Sequence, residues 1–187
     1  MTEEQPRTAE ERLRIAEADL QVLREQVGRL RVTADIEEIK QLTIRYVNAI
    51  ALGNYEGIVD NFAEDAVLDL SKPNQPQDTN PPLYLKGKEN LRHFYEHVLS
   101  QGHTGQDGFF VVNPFITVDG DRAKSTWFLY IMYRYPRTGQ SMFWIQTLFQ
   151  PEYVREADGW KFSAVRARER LGIPGGDMPM ELISNGG

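Results

Sequence analysis

The chain has 187 residues, enough for one domain with an appendage and a substantial core, and its 41% hydrophobic and 26% charged content is that of a globular protein. The absence of cysteine excludes disulfides, thiolate metal sites and cysteine nucleophiles. A net charge of -6 argues against nucleic acid as the main partner, and with neither a run of about 18 apolar residues nor a charged-then-apolar leader, the expected location is the cytoplasm, off the membrane.

The chain begins with a polar stretch, residues 1 to about 8. Leu13, Ala16, Leu20, Leu23, Val27 and Leu30 then fall at the a and d positions of three heptads, a narrow helical seam that needs a partner. That partner is either the chain's own domain or a neighbouring subunit, because three heptads and the helix-weakening Gly28 disfavour an independent coiled coil. Residues 1–34 are therefore read as an N-terminal helical arm. Asp35 with Glu38 matches a capping box, which predicts a new helix from Ile36. Its apolar face is Ile36, Ile39, Leu42, Tyr46, Val47 and Ile50, and Gly53 stands where a helix ends in the left-handed conformation. Tyr46 brings a hydroxyl to this stripe.

Asn54 is expected to cap a short helix through Phe62, and Val67 to Leu70 reads as a strand. Four prolines make residues 71 to 82 a loop, placed at a pocket mouth. Tyr84 lies in a short edge strand, and Gly87 opens a helix with a buried stripe of Leu91, Phe94, Tyr95 and Val98. His93 and His97 have metal-chelating spacing but fall opposite that stripe with no third ligand nearby, so they read as solvent-facing and no metal is expected. A glycine-flanked loop carrying His103 follows.

From Gly108 to Tyr135 two apolar runs flank Val118-Asp119-Gly120-Asp121, which predicts an antiparallel hairpin. Its second run is apolar on both faces, with Trp127, Leu129, Ile131 and Tyr133 alternating with Phe128, Tyr130 and Met132. Both faces must then be covered. Turns at 136–139 and 157–159 lead to two more strands, Met142 to Val154 and Trp160 to Leu171, and the tail 172–187 is rich in Gly, Pro and Met. The order predicts an α+β fold: one curved, largely antiparallel sheet wrapped over helices, leaving a hydrophobic concavity suited to a small molecule.

The segments IEEIKQLTIRYVNAIALGNYEGIVDNFAEDAVLDL, LKGKENLRHFY, NPFITVDGDRAKSTWFL and EYVREADGWKFSAVRAR resemble, in order and spacing, the SnoaL-like branch of the nuclear transport factor 2-like superfamily, over residues 35–171. The resemblance implies a cone-shaped α+β barrel with a mixed sheet. It also implies a choice among cofactor-free polyketide cyclases, dehydratases, isomerases and dehydrochlorinases, non-catalytic transport proteins, and structural subunits of ring-hydroxylating dioxygenases; fold alone does not choose. The dehydratase-type members carry a helix tyrosine, an aspartate one turn on, and a strand histidine before the NPxI-like motif. Here Tyr46 matches, but Ala51 and Phe110 stand at the aspartate and histidine positions, so the dyad is missing.

The candidate catalytic residues are then Tyr46, as oxyanion donor or general acid; His103, as a general base on a loop able to fold over substrate; and Arg166, as a cation aimed at an anionic or enolate ligand. For each there is a structural alternative: a core tyrosine, a surface histidine, an ion pair. Candidate substrate-binding residues are Tyr84, Phe110, Trp127, Tyr130, Trp144, Gln146 and Phe149, with Gln146 costly to bury unless it joins a network or meets ligand. The leading expectation is a cofactor-independent enzyme acting on a hydrophobic, polycyclic or terpenoid-like carbonyl compound by dehydration, isomerisation or cyclisation. Its alternatives are a hydrophobic-ligand binding protein and a structural subunit. Exposed apolar sheet and the helical seam point to a homodimer or homotrimer in each case.

Overall fold

A computed structural model describes residues 8–55, 57–71, 84–100, 108–134 and 142–174, with the side chains of 133, 134, 142, 143 and 172–174 outside the description. Packing divides the chain into two compact units, Met1–Glu37 and Glu38–Gly187. A single helix, α1 (Ala9–Ala51), supplies the described part of the first unit and opens the second. In the first unit every described residue from Thr8 to Ala34 is exposed.

The helix start expected at Ile36 is not there. Neither proline nor glycine interrupts the backbone around Asp35, and α1 runs through it. The capping box sits instead at the true beginning: the Thr8 hydroxyl accepts from the Glu11 amide at 3.3 Å, and the Glu11 carboxylate accepts from the Thr8 amide at 2.9 Å. The other end is as expected. Gly53 takes φ 67°, its amide donates to Ile50 O at 3.0 Å, and the Asn54 amide donates to Ala49 O at 2.8 Å, the paired bonds of a Schellman cap.

Beyond the cap, only a 3-10 turn, Ile58–Asn61, forms where a third helix was expected. Phe62 already begins a strand, β1 (Phe62–Asp69), which is longer than Val67 to Leu70. A short β2 (Tyr84–Lys86) precedes α2 (Lys88–His93), whose chain continues as a π-helical turn, Phe94–Leu99. Then come the four long strands β3 (Gly108–Asp119), β4 (Arg122–Arg134), β5 (Met142–Glu156) and β6 (Gly159–Pro174). They form the expected antiparallel meander within a six-stranded, unclosed mixed sheet of order β2-β1-β6-β5-β4-β3, in which β1 lies parallel to β6. The β3–β4 loop is Gly120-Asp121 between the paired Asp119 and Arg122, with only Gly120 at positive φ, so the glycine is the first central residue.

Irregularities in pairing fall between Val112 and Phe115, where Asn113 takes φ 53°, between Gln146 and Thr147, and between Glu152 and Tyr153. Bulges increase local twist, and they curl the sheet over the helices. The second unit's core is this inner face closed by Ile39, Leu42, Tyr46, Val47 and Ile50 from α1, by Leu91, Phe94 and Tyr95, and by Phe62, Phe149, Tyr153, Trp160 and Phe162. No described helix is long and apolar enough to cross a membrane.

Candidate functional site

The concavity is a cavity of about 600 Å³ inside the second unit. Its walls come from every layer: Tyr46, Val47 and Ile50 of α1; Phe94, Tyr95 and Leu99 of the π-helical turn; Leu68 of β1; Phe109 of β3; Leu129 and Ile131 of β4; Ile145, Thr147 and Phe149 of β5; and Val165 and Ala167 of β6. Strand alternation accounts for the sheet residues, because odd-numbered positions of β4 and β5 face inward here. Leu70, Ser71, Arg168, Glu169 and Arg170 complete the lining.

The polar feature of the apolar wall is a pair of tyrosines. The hydroxyls of Tyr46 and Tyr95 lie 2.8 Å apart, with the two rings edge to face. Tyr46 is fixed by stacking on Phe149 at 6.1 Å and by edge contacts with Phe62 and Phe162, so its hydroxyl oxygen is held in place. Burial pushes the Tyr46 hydroxyl up to about 12, partly offset by its bond to Tyr95; burial, then the neighbouring Tyr46, raises Tyr95 well above the ordinary value. Both phenols therefore stay protonated at neutral pH and share one hydrogen bond, leaving a second O–H free to donate to a ligand oxygen. Tyr95 went unassigned in the sequence reading, although it stands on the buried stripe as a polar tip, the same signal that singled out Tyr46.

Two further polar groups were missed. Thr147, only 5% exposed, faces the cavity, and Glu169 is its direct cross-strand partner on β6. Phe149 pairs with Ala167 one step along the same ladder, which places Glu169 about 7 Å along the strand from the residue opposite the ring that stacks on Tyr46. At the rim, Arg168 donates to the carboxylate of Asp69 at 2.6 Å and to its carbonyl at 2.9 Å, while Ser71 donates to the same carboxylate through hydroxyl and amide. Burial works to raise the Asp69 carboxyl, but these hydrogen bonds and the guanidinium charge outweigh it and hold the group below its usual value.

Of the residues expected around the ligand, Tyr46 and Phe149 line the cavity. Arg166 does not: the extra residue Ser163, where Tyr153 pairs with Phe162 but Glu152 with Ala164, reverses the alternation, and Arg166 stands on the outer face in an ion pair with Glu152. Tyr130 and Gln146, paired across β4 and β5, also lie on the outer face, where Gln146 donates to the Tyr130 hydroxyl at 2.6 Å, so of its two alternatives Gln146 takes the hydrogen bond to a side chain, outside the cavity. Phe110, paired with Tyr130, and Trp144 are exposed on that face. On β3 it is Phe109 that faces inward, so neither it nor Phe110 brings a titratable group to the cavity. Trp127 is on the inner face but below the cavity, donating to Ser125 Oγ at 2.7 Å. Tyr84 is exposed on β2 opposite Asp69 and is not part of the lining. His103, the proline-rich loop, the turn at 136–139 and nearly all of the C-terminal tail lie outside the described residues. His93 and His97 are exposed, and no cluster of three metal-ligating side chains occurs among the described residues.

Comparison with solved structures places this geometry. The chain superposes on a nuclear transport factor 2-like protein with a cystatin-like fold from Novosphingobium aromaticivorans at TM-score 0.61 and 19% identity, covering 79% of this chain and 89% of that one. A hexachlorocyclohexane dehydrochlorinase of the LinA-type3 kind from Novosphingobium barchaimii gives TM-score 0.62 and 16% identity, covering 80% and 93%. A candidate scytalone dehydratase from Novosphingobium aromaticivorans gives 0.64 and 14%, covering 79% and 95%. At these identities the likeness is one of fold. No curated protein matches by sequence. The SnoaL-like domain model matches residues 31–166, most of the chain, and the protein belongs to that family.

Proposed function

We propose that the protein is a cofactor-independent enzyme that moves a proton within a hydrophobic carbonyl compound, with isomerisation, dehydration or cyclisation as the outcome. The observation that carries this reading is the Tyr46–Tyr95 hydroxyl pair on the wall of an otherwise apolar cavity of about 600 Å³, a volume suited to a polycyclic or terpenoid-like ligand. A carbonyl oxygen at the pair accepts a hydrogen bond that strengthens as the enolate forms, because the two tyrosines are buried and their donor is held in place beforehand. The base is Glu169, the carboxylate among the lining residues, with Thr147 beside it to hold a second ligand oxygen. In an isomerisation Glu169 takes the proton next to the carbonyl and returns it to the far carbon of the enolate. In a dehydration the electron pair instead expels a hydroxyl on the next carbon, which takes the proton from Glu169 and leaves as water, restoring the carboxylate.

The test is a thermal-shift screen with steroid, terpenoid and polyketide aromatic ketones, followed by mass analysis of each hit. Conversion to an isomer, or to a product about 18 mass units lighter, supports the reading, and Tyr46→Phe should then lower turnover at least about tenfold. A hit that stays unchanged over long incubation favours a second reading, a binding protein. Its support is that Ala51 and Phe110 leave the dehydratase dyad positions without titratable groups. The exposed aromatic face formed by Phe110, Phe115 and Trp144 supports assembly as a homodimer or homotrimer under either reading. It also suits a structural-subunit role, for which a screen without hits followed by partner capture is the test.

A further inference from the structure

The first unit holds a feature that the cavity does not use. Leu13, Leu20, Leu23, Val27 and Leu30 of α1 are between 52% and 69% exposed, and with Ala16 they form a single a/d seam that continues to Ala34 and ends at Glu37, an acidic residue at the next d position. The family match begins at residue 31, so the seam precedes the matched domain almost entirely.

The residues flanking the seam say what covers it. Assigning a to Leu13, Leu20 and Val27 puts Arg12 and Asp19 at g and Glu17, Arg24 and Arg31 at e. In a parallel, in-register pair each g position meets the e position five residues on in the other helix. Arg12 then meets Glu17 and Asp19 meets Arg24, twice over by symmetry; the third contact, Gln26 with Arg31, is neutral. All four charged contacts are attractive. Val27 at a between Leu23 and Leu30 at d is the layer sequence preferred by two parallel strands, and Leu13 and Leu20 fill the other large apolar a layers. Interactions within the helix keep to the outer side: Glu25 meets Arg29 at 3.9 Å and accepts from Gln21 at 3.1 Å, at positions f, c and b. Gly28 is at b as well, with open space around it, so it weakens the helix without touching the seam.

We infer that residues 12–34 of α1 pair with the same segment of a second copy of this chain as a short parallel coiled coil. Pairing supplies the burial that a lone helix of this kind lacks, and it tethers two family domains.

The chain contains no cysteine, so a single introduced thiol reports on the seam alone. In the full-length protein, Leu13→Cys and Leu30→Cys, each tested separately, should form a disulfide-linked dimer under mild oxidation. Adding Leu20→Glu should abolish the crosslink, with the domain's fold verified by circular dichroism. Arg12→Glu should slow crosslinking, and Arg12→Glu combined with Glu17→Arg should restore it. Crosslinking of Leu13→Cys only with Leu30→Cys in a mixture would mean an antiparallel pair and overturn the inference. Absence of any crosslink, or crosslinking unaffected by Leu20→Glu, would overturn it as well, whatever mass light scattering gives for the assembly.

Discussion

The hydroxyl of Tyr153 lies 2.8 Å from Thr43 Oγ1, joining β5 to the helix that the sheet wraps. Thr43 donates its own proton to Ile39 O at 2.9 Å, so Tyr153 must donate to Thr43. Having given its proton away, Tyr153 accepts from Ser125, also at 2.8 Å, and Ser125 accepts from Trp127 Nε1. One proton order satisfies every member of a chain that lies wholly in the core, and such chains polarise cooperatively.

Tyr153→Phe should accordingly cost about 1 to 3 kcal/mol, because it strands the buried Ser125 donor and removes the partner of Thr43. Thr43→Val should cost a similar amount by stranding the tyrosine proton. Urea unfolding of both variants and of the double variant checks this. Additive losses would mean that the two side chains do not form one network.

Alkaline stability reads the tyrosine pair directly. Tyr46 titrates near 10 in the unfolded chain and near 12 when folded, so above pH 10 the unfolded state sheds a proton that the folded state keeps. Stability is therefore whole below pH 10 and falls between 10 and 12, by about 1.4 kcal/mol per pH unit from this group. Tyr95 and Tyr153, also raised by burial, act in the same direction. Unfolding midpoints of Tyr46→Phe over this range should fall less steeply than those of the wild type, whereas parallel curves would show that the Tyr46 hydroxyl titrates as in solvent.

How far the site could be read from sequence depended on whether a residue's direction was set by regular periodicity. Tyr46 sits on a helix stripe with period 3.6 and lines the cavity as that pattern required, whereas Phe149 lines it from a strand whose alternation did not choose the face. Arg166 failed because one bulged residue, Ser163, separates it from Phe162, and a bulge leaves no local mark in a strand of mixed polarity. Tyr130, Gln146 and Trp144 failed for another reason. In strands apolar on both faces nothing in the alternation says which face is inner, and aromatic residues occur on both: Trp127, Phe149 and Tyr153 inside, Tyr130 and Trp144 outside. Glu169 and Thr147 are legible only as a cross-strand pair, after the register is known.

The Asp69–Arg168 contact at the rim should carry an acid-side signature. With the folded carboxyl held below its ordinary value, its stabilisation is present above about pH 4 and is lost as pH falls toward the folded value. Asp69→Asn should be less stable than the wild type by about 1 to 3 kcal/mol at pH 6, and that deficit should shrink toward pH 2. An Asp69→Asn deficit that is the same at both pH values would assign the loss to packing instead of charge.

Filling the cavity separates ligand binding from chemistry. Ala167 lines it and pairs with Phe149, beside the ring that stacks on Tyr46, and an indole there would occupy much of the space next to the tyrosine pair. Ala167→Trp should therefore abolish the thermal shift given by any ketone that binds the wild type, where ligand at 100 times its dissociation constant adds about 2.7 kcal/mol. Tyr46→Phe, which keeps the ring and removes one hydroxyl, should retain most of that shift while losing turnover, since its bond strengthens only as the enolate forms. Glu169→Gln should behave likewise, retaining the shift and losing turnover. Turnover that survives Ala167→Trp at wild-type rates would move the chemistry out of this cavity altogether.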